Sequence, residues 1–367
     1  MEGITLICIS IVQDVKAVFN LKNTLSFGDQ GYFFLQDGNC TMQQNTALCP
    51  SNYTKEKRMD TSPHTSDFVN VNGIRLHYLD WGGDGDVLLF LAGMGCNAHI
   101  FDDFAPRFTD NFHVMALTRR GHGESDHPET GYDIDTLTDD IRQFLEALGI
   151  EKVILVGHSM ANVELSRFNA LYPERVNKLI FLDAAYDRHS ETYKNMVKNS
   201  PWRKIQPPGL DVDYYTEEEY FASMKRAYPS FTLIWTEAMV QQSLHEIVKT
   251  PEGKVADRMS DSISKAITDT LTSYVLEDSK IIAHTLAFFS LSKGLNTISD
   301  DWMTEEQKTE LKSYVETRED SWTRESIEQF RQNVPHATII EIPQGHHYCF
   351  IQQEELVYQE MRRFLLV

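Results

Sequence analysis

The stretch KVILVGHSMANVELSRFNALYP, residues 152–173, decides the fold. Its first half is a short apolar run, Val153–Val156, of the kind found in a strand buried on both faces. Its second half spaces apolar residues as a helix does and stops at Tyr172-Pro173, where proline disfavours continuation. Gly157-His158-Ser159-Met160-Ala161 lies at the changeover, so a serine hydroxyl sits on a strand-to-helix turn. The competing reading of that serine is a helix N-cap, a position that serine also favours.

The same alternation extends in both directions. Upstream, FVNVNG and IRLHYLDWG flank Asn72-Gly73, a strong hairpin signal. DVLLFLAG (86–93) and FHVMALTRRG (112–121) read as strands, and IDTLTDDIRQFLEALGI (134–150) as an amphipathic helix. Downstream, KLIFLDAA is again a strand. Strands alternating with helices predict parallel βαβ units, an α/β sheet covered on both faces. After Tyr186 the alternation stops and residues 187–280 read as mainly helical. The sheet resumes at IIAHTLAFFSLS, followed by a long helical stretch over 304–333, then HATIIEIPQG and a last helix, EELVYQEMRRFLLV. The expected organisation is a poorly ordered leader (1–66), a core in two parts (67–186 and 281–367), and a helical cap (187–280) inserted between them.

Set between that strand and helix, Gly157–Ala161 resembles the nucleophile elbow G-x-S-x-G of the α/β-hydrolase superfamily, with Ala161 in place of the second glycine. The resemblance covers roughly residues 67–367. It implies a mostly parallel eight-stranded sheet with an inserted helical cap, and a reaction through a Ser-His-Asp triad. Ser159 is then the nucleophile. The family places the histidine after the last strand, here PQGHHY, which assigns His346 as general base with the adjacent His347 as its rival. The commoner place for the acid, TLAFFSLSKGLN, contains no carboxylate. Asp183, at the end of KLIFLDAA, occupies the alternative place seen in haloalkane dehalogenases and takes the role, ahead of Asp187 and Asp301. Ala92-Gly93-Met94-Gly95 resembles the His-Gly-x-Gly segment, so the oxyanion donors are the backbone N–H groups of Met94 and Met160. Ala92 stands where histidine is usual, which leaves the support of that loop unaccounted for. RGHGES (120–125) resembles a structural turn of the family.

Composition narrows the partners. The 367 residues carry 34 Lys+Arg against 54 Asp+Glu, a formal charge of −20, which argues against nucleic-acid and anionic-lipid partners. Five cysteines without a CxxC pair argue against a disulfide framework or a cysteine zinc site, and Cys96 and Cys349 read as small packing residues. The run Ile4–Val12 is too short to span a bilayer and lacks the basic flank and cleavage site of a secretory signal. The sequons at Asn39 and Asn52 matter only on secretion, and Met59 is an alternative start. A cytoplasmic protein is expected, with secretion as the alternative.

The expected activity is hydrolysis of a small to medium, largely apolar ester, with no cofactor or metal. Ser159 argues against the carboxylate-nucleophile chemistry of dehalogenases and epoxide hydrolases on the same fold. Carbon–carbon bond hydrolysis, cofactor-free peroxidation and a ligand-binding module are the other readings.

Overall fold

Asn72 and Gly73 both adopt positive φ (48° and 75°), the two left-handed residues of a tight hairpin turn. They join β1 (Thr65–Val71) to β2 (Ile74–Gly82) in antiparallel register, Val71 opposite Ile74. The computed structural model describes residues 62–209 and 212–367. The Ile4–Val12 run, both sequons, Cys8, Cys40, Cys49 and Met59 lie outside them.

The chain continues through β3 (Val87–Leu91), β4 (His113–Leu117), α1 (Ile134–Ala147), β5 (Val153–His158), α2 (Ala161–Leu171) and β6 (Val176–Leu182). Between β6 and the next sheet strand lie α3 (Glu191–Lys198), α4 (Glu217–Ala227), α5 (Glu237–His245), a hairpin of β7 (Ile247–Lys249) with β8 (Val255–Asp257), and α6 (Asp261–Ser273). The core then resumes with β9 (His284–Ser290), α7 (Glu305–Tyr314), α8 (Asp320–Asn333), β10 (Thr338–Ile342), α9 (Cys349–Gln352) and α10 (Glu354–Leu365). Eight strands form one sheet in the order β1-β2-β4-β3-β5-β6-β9-β10, parallel from β4 onward.

Alternate residues of the central strands feed two apolar layers. Leu88, Phe90, Val156 and Phe288 face the aromatic turns Ala98–Phe101 and Ala105–Phe108 together with α10. Leu89, Leu155, Phe181 and Phe289 face α1, α2 and α8. Burial on both sides is why these strands read as continuous apolar runs.

Two expectations needed refinement. The segment 187–280 holds the β7–β8 hairpin as well as helices, because strands of three residues are too short to show a period of two. The stretch 304–333 is two helices, joined by a π turn at Val315–Glu319. That turn aims buried Glu319 at the backbone N–H of Gly294 (3.0 Å).

Gly157 has no room for a side chain. An added Cβ would sit 2.9 Å from the Ala161 methyl and 2.9 Å from a Leu165 methyl. Gly157→Val should therefore lose about 1–3 kcal/mol of stability by overpacking, read as a lower denaturant midpoint with an unchanged slope.

Candidate active site

Order reverses between β3 and β5: β3 is followed in the chain by β4 on one side, and β5 lies on the other. Loops that leave the carboxyl ends of two such strands diverge and open a crevice. Backbone strain gathers at this edge. Among the described residues five non-glycine residues have positive φ, and apart from Asn72 they are Ser159 (56°), Asp183 (46°), Ser292 (55°) and Gln344 (51°). They follow β5, β6, β9 and β10 respectively. Such conformations cost roughly 1–3 kcal/mol each and persist where the surroundings over-determine them.

Ser159 tops the turn between β5 and α2 and is 2% exposed. Its backbone N–H donates to Leu182 O (3.4 Å), tying it to the end of β6. Met160, not Ser159, is the N-cap of α2, and no side chain caps that helix, so the capping reading of the serine does not hold. The Met160 N–H belongs to the first-turn amides, which have no intrahelical acceptor. Gly93 approaches the serine so closely that a Cβ there would lie 3.1 Å from Ser159 Cβ. Met94 and Met160 share one apolar cluster.

Asp183 follows β6 and is completely buried. Its Oδ2 accepts from His347 Nδ1 (2.6 Å) and from Lys293 Nζ (3.1 Å). Its Oδ1 accepts from the Ser290 backbone N–H (2.7 Å) and from the Tyr186 hydroxyl. Burial alone would raise this carboxyl's pKa, but Lys293 and the His347 and Tyr186 hydrogen bonds outweigh it and hold the group well below the usual carboxylate range.

The histidine that Asp183 engages is therefore His347, not the expected His346. His346 is held the other way. Its Nδ1 accepts from the Tyr348 N–H (3.0 Å), so it has no proton there to give a carboxylate, and its ring also bonds to the Ser230 backbone in the insertion. The backbone fixes this register. Gly345 N–H donates to Leu291 O (3.0 Å), Ser290 Oγ donates to His346 O (2.8 Å), and His158 Nε2 bonds to His347 O (3.0 Å). The His158 and His347 rings lie 4.6 Å apart, which places the imidazole beside the serine turn. Burial lowers the His347 pKa below its ordinary 6.5; Asp183 opposes that shift, and Lys293 and Arg188 add to it.

The other acid candidates lie elsewhere. Asp187 accepts from the His189 N–H (2.8 Å) and caps a turn. Asp301 is exposed, and its neighbour Asp300 pairs with Lys308 (2.8 Å). Cys349 is a free thiol buried in the apolar layer, as a packing residue would be; Cys96 is buried in the same layer but is disulfide-bonded, so the packing reading does not hold for it.

Two features escaped the sequence reading. Lys293, 3% exposed, lies in the segment after β9, the commoner place for the family's acid, and its ammonium stands 3.8 Å over the Tyr186 ring. Arg119 explains how the Ala92–Gly95 loop holds without a histidine. Its guanidinium donates to Ala92 O (2.9 Å) and forks onto Glu164 of α2, so one buried pair binds the loop after β3 to the helix behind Ser159. A pocket at this edge is lined by His346 and His347, Lys293, Tyr348, and Phe231 and Ile234 of the insertion.

Strained serine turn, buried carboxylate–imidazole pair and nearby amide-bearing loop lie together at the carboxyl edge of an α/β sheet. Comparison with known proteins agrees on the class. Residues 86–353 match the model of the alpha/beta hydrolase fold family, and the chain belongs to that family.

The chain is 37% identical over 115 residues to 2-(acetamidomethylene)succinate hydrolase of Mesorhizobium japonicum (31% of this chain, 41% of that one). It is 33% identical over 133 residues to epoxide hydrolase 1 of Caenorhabditis elegans (34% and 33%). With a non-heme chloroperoxidase of Streptomyces lividans the identity is 36% over 159 residues (42% and 54%). These matches span about a third to a half of the relatives' length. Among solved structures, E-2-(acetamidomethylene)succinate hydrolase superposes with a TM-score of 0.63 at 20% identity, covering 83% of this chain and all of that one. A marine microorganism esterase gives 0.55 at 23%, covering 79% and 98%. At such identities the likeness is one of fold. No helix among the described residues is long and apolar enough to cross a membrane.

Followed by imidazole NMR, His347 should titrate below pH 6.5. Lys293→Met should raise its midpoint by removing a cation, and Asp183→Asn should lower it by removing the charge that favours imidazolium.

Proposed function

We propose that this α/β hydrolase is a serine hydrolase that cleaves a largely apolar ester of small to medium size through an acyl-enzyme. The observation that carries the reading is the 2.6 Å bond from His347 to Asp183 beside the strained Ser159 turn. Ser159 Oγ attacks the ester carbonyl while His347 Nε2 takes its proton. Asp183 accepts from Nδ1–H, which fixes the tautomer and favours the imidazolium as it forms. The Met94 and Met160 N–H groups donate to the oxyanion. His347 returns the proton to the leaving alcohol, then draws one from the water that releases the acid.

The residues between β6 and β9 form the cap in this reading. Phe231 and Ile234 supply an apolar wall, which together with the acidic chain favours neutral, apolar substrates. Epoxide hydrolases are among the relatives, but Ser159 stands where a carboxylate would be needed to form an ester with the substrate. The chloroperoxidase match favours a second reading, cofactor-free peroxidation on the same three side chains, which a halide-and-peroxide assay separates from ester cleavage.

A fluorophosphonate probe should label the wild type and not Ser159→Ala. His347→Asn should abolish labelling and lower kcat by about 10⁴-fold, while His346→Asn keeps most of both. Equal loss in the two histidine variants, or labelling of Ser159→Ala, sinks the assignment.

A further inference from the structure

On the layer that carries the aromatic turns, away from the serine, three metal-ligating side chains converge. Asp102 closes the turn Ala98–Phe101, and its Oδ2 meets His99 Nδ1 at 2.8 Å. Its Oδ1 meets Nδ1 of His64, from the segment just before β1, also at 2.8 Å. One ligand atom from each residue lies within 4.8 Å of the others. All three side chains are nearly sealed from water, at 6%, 3% and 4% exposure for His64, His99 and Asp102. Two further imidazoles enclose the group: His245 of α5 stacks on His99 at 4.0 Å, and His77 of β2 at 5.7 Å. Glu124 pairs with His245 at 3.4 Å.

We propose that His64, His99 and Asp102 form a structural site for a divalent transition-metal ion of the zinc type.

The chemistry of the donors favours such an ion. A buried carboxylate needs a positive partner, and the candidates here are a proton on one ring or a cation. Protonating a ring sets an imidazolium among three other imidazoles in a dry cluster. Neutral imidazoles are the form that binds metal. Two nitrogens and a carboxylate oxygen at about 2.0–2.2 Å suit zinc, with separations in a tetrahedron of about 3.3–3.5 Å, well inside the present span. Binding requires only that each ring move its proton from Nδ1 to Nε2, so no net proton is released. The ion would pin the segment before β1 to the turn that follows the Ala92–Gly95 loop, a role in stability and loop rigidity rather than in the reaction.

The test uses the full chain prepared without a histidine tag, stripped with a chelator and then exposed to Zn²⁺ or Co²⁺. The wild type should retain about one ion per chain after gel filtration and show a visible absorption band of bound Co²⁺. Zn²⁺ should raise its thermal midpoint. His64→Gln, which keeps a donor to Asp102, should fold by circular dichroism yet lose both retention and the Zn²⁺-induced rise. His113→Gln, a histidine paired elsewhere with Asp80, should behave as wild type. Failure of the wild type to retain ions, or equal retention by His64→Gln, overturns the proposal.

Discussion

The candidate site depends on one buried carboxylate. Asp183 sits with no exposed surface among four donors: His347, Lys293, Tyr186 and the Ser290 backbone. Those donors come from four segments, the loops after β6, β9 and β10 and the end of β9 itself. Their joint demand for this acceptor draws the segments together. Removing one partner of a buried ion pair costs about 3–5 kcal/mol, because a bare charge is left behind. The same arrangement sets the electrostatics of His347, since Asp183 favours its charged form while burial, Lys293 and Arg188 disfavour it.

Around this point the sheet edge trades backbone comfort for placement. Ser159, Asp183, Ser292 and Gln344 accept left-handed φ so that chains leaving four strands can turn toward one another. Glycine is used where there is no space. Gly93 passes within contact of Ser159, and a Cβ on Gly345 would lie 2.7 Å from Ser290 Cβ. The Arg119–Glu164 pair ties the loop after β3 to the helix after Ser159, the two segments that carry the amides of the proposed oxyanion hole.

Much of the fold was legible because its signals are local. The runs at 86–93 and 152–158, the turn at Asn72-Gly73 and the pattern of α1 each follow from a few neighbouring residues. The turn that carries Ser159 was legible because a strand, a glycine and a helix meet there, and the place of Asp183 because it ends a strand. The choice between His346 and His347 was not. Adjacent histidines carry the same chemistry, and their directions are set by Ser290, His158 and Ser230, partners far away in sequence. Lys293 and Arg119 were hidden for a related reason: a lone cation in a sequence looks like surface until the carboxylate it meets is known. The hairpin in the insertion was too short to carry a period.

In the proposed mechanism the Asp183–His347 pair serves Ser159, and Met94 and Met160 receive the oxyanion. The most direct measurement is a crystal structure of the protein after reaction with a phosphonate ester that mimics the tetrahedral intermediate. Phosphorus should be bonded to Ser159 Oγ, with His347 Nε2 as the nearest imidazole nitrogen and the phosphoryl oxygen within hydrogen-bond distance of both amides. Phosphorus on another side chain, or His346 facing the adduct with His347 turned away, would contradict that mechanism.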